Sequence, residues 1–169
     1  RQKQMRHTII EWRDGASLPF LGEQWVVRLD PEHQSPHISD LGTAPKCLQV
    51  PLSLHAQPGQ IRDAVQAWLM RFAHQVFTAR LDRYAPELGV TYTVLRLSSA
   101  NTRWGSADVK GQIRLNWRLI HGPLSALDYV VVHELSHLRE MNHSPKFWGT
   151  VASVLPDYAG ERRRLNALQ

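Results

Sequence analysis

An α+β fold is predicted by two changes of hydrophobic rhythm and by the order in which they occur. Residues 1–58 carry short β-type runs broken by turn residues. From Gly59 the apolar residues recur at steps of three and four, the period of a helix. Two short strand candidates then precede a run of helical segments, so strands, helix, strands and helices follow one another.

In the first region, residues 8–12, 24–29 and 47–52 read as strands, with Asp14-Gly15 and Leu21-Gly22 as turns. Residues 30–45 hold prolines, histidines and Gly42, and are expected to form an irregular loop. This part is a small β region with no obvious chemistry of its own. Residues 59–169 form the second unit. Ile61, Val65, Trp68, Leu69, Phe72, Val76 and Phe77 make one apolar stripe, predicting a helix over 60–84 that ends before Pro86 and Gly89. Strands are expected at 90–97 and 112–116, with Trp104 and Gly105 shaping a turn between them. Asn116 then caps a strand end, and His121 sits on the surface or in a loop. A second helix is predicted from an N-cap at Ser125 to about Glu140. Ser144 caps a third, with Pro145 at its first position and an apolar face of Phe147, Trp148, Val151, Val154 and Leu155. Pro156 ends it, and Asp157 caps a last short helix carrying Arg162, Arg163 and Arg164.

Composition narrows the function. Hydrophobic residues are 43% of the 169 and charged ones 21%, enough apolar material for a core and too much for a disordered chain. The longest apolar runs, 67–70 and 129–132, are far short of the roughly 20 residues of a membrane span. No charged-then-apolar leader precedes the first structured stretch, and Cys47 stands alone, so a reducing cytoplasm is expected. A net charge of +5 suits an acidic substrate, an anionic ligand or nucleic acid.

The chemistry lies in His133-Glu134-Leu135-Ser136-His137. Four residues apart on a helix, the two imidazoles share a face and can reach one Zn²⁺ at about 2.0–2.1 Å. Glu134 sits beside that ion, where it can take a proton from activated water and return it to a leaving group. The apolar run 129–132 buries the first ligand. His143 follows His137 by six residues, the spacing of a third ligand in the extended signature, although Glu140 stands where that signature has glycine. Asn142 is the residue best suited to turn the chain there through a left-handed conformation. Glu161 is a rival third ligand; the spacing favours His143. Three protein ligands leave a coordination position for water, and zinc lowers that water's pKa from about 15.7 to about 7. Hydrolysis is therefore expected before any substrate is named.

Arg103-Trp104-Gly105-Ser106, Leu115-Asn116-Trp117-Arg118-Leu119-Ile120, residues 128–137, Asn142-His143-Ser144-Pro145 with Phe147-Trp148, and Pro156-Asp157-Tyr158 together resemble the YgjP-like metallopeptidase family. That family is a bacterial relative of the SprT-like and minimal zincin proteins. The likeness is dense over residues 96–165 and thin before Gly59. It implies a zincin-like helix–sheet core, His133, His137 and His143 as zinc ligands, and Glu134 as the catalytic carboxylate. Ala107 stands where the family often has cysteine after Trp-Gly-Ser, so no thiol acts there. The leading function is a zinc-dependent metallopeptidase whose peptide or small-molecule substrate pairs with the edge of strand 112–116. A zinc-dependent nucleotide or phosphoanhydride hydrolase is the alternative on the same site. A SprT-like protease acting on DNA and a noncatalytic zinc-binding module are the others.

Overall fold

A computed structural model describes residues 8–39, 42 and 45–168. Residues 1–7 and part of the expected 30–45 loop lie outside the described residues.

Strands β1 (Ser17–Phe20) and β2 (Glu23–Leu29) form a hairpin. Leu21 and Gly22 join them at φ of 49° and 82°, the left-handed pair that suits the twist of a two-residue hairpin loop. Strand β4 (Cys47–Val50) lies parallel to β2, and β3 (His37–Ser39) antiparallel to β4, giving the order β1-β2-β4-β3. Alternation places Leu18, Phe20, Trp25, Val27, Leu29, Leu48 and Val50 in the core. Against these packs helix α1 (Pro58–Leu88), which buries Ile61, Val65, Leu69, Phe77 and Leu81.

A second sheet holds β5 (Val94–Ser98), β6 (Gly105–Ala107) and β7 (Gln112–Asn116) in the order β5-β7-β6. β5 is parallel to β7 and β6 antiparallel to it. A 3₁₀ turn (Trp117–His121) leads into α2 (Leu124–Ser136), α3 (Pro145–Val154) and α4 (Tyr158–Asn166). Side chains of both sheets and all four helices share one hydrophobic core. The α+β class is thus the one the sequence predicts. Among the described residues no helix is long and apolar enough to cross a membrane.

Several elements differ from expectation. Residues 8–12 form no strand: Ile10 and Trp12 lean on the core without a ladder, and Ile9 is exposed. The hairpin begins instead at Ser17, despite Pro19, because β1 is an edge strand where a missing N–H costs little. Helix α1 runs past Pro86 to Leu88, since a proline in the last turn removes one bond while Ala85 and Leu88 gain burial. Gly89, at φ 67°, then closes the helix with its N–H on the Pro86 carbonyl. Helix α2 is capped by Pro123, not Ser125, because the Pro123 carbonyl already accepts from Ala126 and Leu127. It ends at Ser136, where the next N–H groups bond three residues back and tighten the chain. Asn142 is not left-handed; these tightened turns supply the reversal instead.

His121 is no surface residue. It is half-buried and its Nδ1 lies 2.8 Å from the Pro19 carbonyl, tying the 3₁₀ turn to the first sheet. The Leu21 N–H donates to the Ile120 carbonyl in the same seam.

Candidate active site

Helix α2 sets His133 and His137 one turn apart, with ring centroids 5.1 Å from each other. The tightened turns after Ser136 bring the chain back, and α3 fixes its return. Ser144 Oγ accepts the Phe147 N–H at 3.3 Å and Pro145 opens the helix, which holds His143 at the site's rim. One potential ligand atom from each of the three imidazoles lies within 4.8 Å of the others. Nε2 of His143 and Nε2 of His133 are 3.2 Å apart.

The far sides of the rings explain this convergence. Nδ1 of His133 lies 3.1 Å from the Tyr129 hydroxyl, and Nδ1 of His137 lies 3.2 Å from the Glu140 carbonyl. The Glu140 carbonyl can only accept, so Nδ1 of His137 donates to it. A proton on Nδ1 of His133 would donate to the Tyr129 hydroxyl and leave that ring's Nε2 lone pair facing His143. Burial, then His137, His143 and Arg162, push the His133 pKa down to about 3; burial lowers His137 as well. Neutral imidazole is the form that binds a metal ion. Phe147 stacks on His137 at 4.5 Å and Trp148 on His143 at 5.8 Å, making an aromatic wall around the rings. Lone pairs gathered so closely repel one another unless a cation lies between them, so the donor set fits a divalent metal.

Glu134 faces a different neighbour. It is 6% exposed, and strand β6 passes so close that a Cβ on Gly105 would fall 3.0 Å from its Oε2 and 3.1 Å from its Cγ. Glycine at 105 is therefore what admits the carboxyl group. Burial pushes its pKa up to about 8, with Arg103 pulling in the opposite direction. Arg103, Trp104, Gly105, His133 and Glu134 line a cleft of about 160 Å³, which Leu165 and Asn166 of α4 close on one side.

The loop bearing Arg103 is held by Asn116. Its Nδ2 donates to the Ala100 and Arg103 carbonyls at 2.8 and 3.3 Å, while its Oδ1 accepts the Arg118 N–H. Asn116 thus caps the 3₁₀ turn and secures the site's wall together. Tyr129 and Arg103 were not assigned to the site by sequence reasoning. In the sequence Tyr129 reads as the start of the apolar run 129–132, and Arg103 as part of a motif. Glu161 lies outside the imidazole group and pairs with Arg164 at 3.3 Å. Tyr158 stacks on Trp148 at 5.2 Å, and Asp157 occupies the N-cap of α4 without a side-chain bond.

A family model described as "YgjP-like, metallopeptidase domain" matches residues 1–168. The chain belongs to the YgjP-like family. Membership places it among metal-dependent peptidases, and among the described residues His133, His137 and His143 form a group that could hold a metal ion. A solved structure, the metallopeptidase zymogen of Pyrococcus abyssi abylysin, is similar to it in fold. The TM-score is 0.50 and the identity 24%, over 54% of this chain and 92% of that one. No curated protein matches the chain.

Proposed function

We propose that the chain is a zinc metallopeptidase in which His133, His137 and His143 hold the ion and Glu134 is the general base. The observation carrying this reading is the convergence of three imidazoles beside a buried carboxyl group that accepts no hydrogen bond among the described residues. A bound zinc ion supplies Lewis acidity, polarising the scissile carbonyl and acidifying water. Glu134 takes a proton from water entering the cleft and returns it to the departing amine. Tyr129 and the Glu140 carbonyl keep two ligand rings turned inward. A reducing, cytoplasmic setting belongs to the same reading, since a lone cysteine needs no oxidising compartment.

The peptide-pairing edge differs from the one expected. β7 (Gln112–Asn116) lies between β5 and β6 and has no free edge. Of the sheet's two outer strands, β5 and β6, it is β6 (Gly105–Ala107) that lies next to Glu134, and its outer edge would pair with an extended peptide.

The test joins metal content to turnover. Wild type, Glu134→Gln and His143→Ala are measured by elemental analysis and against peptides and nucleoside triphosphates side by side. The expected result is zinc and peptide cleavage in wild type, zinc without cleavage in Glu134→Gln, and loss of both in His143→Ala. Unchanged turnover in Glu134→Gln, or phosphate release with no peptide cleavage, rejects the reading.

A further inference from the structure

Two clefts flank the imidazole group, and they differ in charge. The first, about 160 Å³, has Arg103 on its wall and Glu134 as its one carboxyl group. The second, about 350 Å³, lies beyond His137; it is bounded by Lys110 and Arg139 and contains no acidic residue. Among the described residues, none of these three cations forms an ion pair with a carboxylate. The acids close by are committed elsewhere. Asp108 accepts the backbone N–H groups of Lys110 and Gln112 at 2.9 and 3.0 Å, and Glu140 lies 3.9 Å from Lys146. The second cleft also presents two exposed apolar side chains, Val109 at 83% and Met141 at 44%.

Lys110 and Arg139, with no carboxylate in their cleft, focus a positive potential there that attracts acidic groups and repels basic ones. His137 lines this cleft, so it lies beside the imidazole group where a scissile bond would be held. We propose that the substrate is a peptide segment with acidic side chains on the side of the cleaved bond that faces the second cleft. Lys110 with Arg139 reads that side. This rests on the metallopeptidase reading and adds the substrate class to it.

Zinc-loaded protein is given one peptide series in which the residues flanking the cleaved bond are Glu, Gln or Lys. Cleavage efficiency (kcat/KM) is compared at low and raised salt. The Glu peptide is expected to be cleaved about tenfold faster than the Gln peptide, with the Lys peptide slowest and the gap narrowing as salt screens it. Lys110→Glu is expected to abolish the preference on its own side of the bond. Arg71→Glu, the same charge change on the exposed face of α1, is expected to keep it. Equal rates across the series, or equal losses in the two variants, overturn the acidic preference while leaving the peptidase reading intact. Absence of cleavage of every peptide removes both.

Discussion

Helix α2 buries a carboxyl group near each end, and the two live in opposite surroundings. Asp128, 8% exposed, accepts Arg80 Nε at 2.7 Å, Arg80 Nη2 at 2.6 Å and the Tyr84 hydroxyl at 2.9 Å. Its oxygens are engaged by donors from α1, and the pair in turn pushes the Arg80 pKa up, chiefly through the hydrogen bond to Asp128. Glu134, 6% exposed, has no such donors and is held close to the glycine of a strand. Burial alone therefore does not mark a functional acid. A buried carboxyl group whose partners are complete fastens two helices; one left without partners is held ready to exchange a proton.

The sharpest way to break this comparison is to remove each carboxylate and measure stability. Glu134 has a folded pKa of about 8 against an ordinary 4.5. A raised folded pKa means that the protonated group contributes fully below pH 4.5, and that this stability is lost as pH rises to 8 and beyond. In metal-free protein, Glu134→Gln should match wild type near pH 4. By pH 9 it should be more stable by several kcal/mol, seen as a higher midpoint in urea. A constant difference across pH would show that Glu134 is not buried as an unpaired acid.

Asp128→Ala should act in the other direction. It strands the Arg80 guanidinium and the Tyr84 hydroxyl in the α1–α2 seam and should cost about 3 kcal/mol in urea unfolding. Replacing Arg80 and Asp128 together by Met and Leu should recover most of that loss, because no unpaired charge remains. A loss under about 1 kcal/mol in Asp128→Ala would remove the structural half of the comparison.

These two sites were unequally legible in the sequence. The imidazole pair was readable because helical periodicity converts a spacing of four into a shared face, and α1 was readable for the same reason. His143 was accessible through spacing alone, and Ser144-Pro145 identified the helix start that positions it. The Arg80–Asp128 pair joins residues 48 apart, and no local pattern encodes a contact of that range. Strand β6 spans three residues, too few to show alternation, and its glycine looked like a turn residue when its real task is to make room for Glu134. Strand β1 was hidden by Pro19, which edge position renders harmless. Helix ends were misread where a carbonyl or a proline, rather than a side-chain cap, sets the boundary.

The smallest effect contrasts the tyrosines that serve the two ends. The Tyr129 hydroxyl meets His133 Nδ1 at 3.1 Å, while its ring packs against His133 and Tyr158 at 5.6 and 6.5 Å. Phenylalanine preserves this packing and deletes only the hydroxyl that holds Nδ1 of His133. Tyr129→Phe should therefore weaken zinc affinity by about 10- to 100-fold in a competition titration, with little change in the stability of metal-free protein. Tyr84→Phe removes one of three donors to Asp128 and leaves both Arg80 bonds. It should cost about 1 kcal/mol in unfolding and leave zinc affinity unchanged. If both variants lowered stability alike and neither altered zinc affinity, the hydroxyl of Tyr129 would be a packing detail, and orientation of His133 would have to come from the aromatic wall of Phe147 and Trp148 instead.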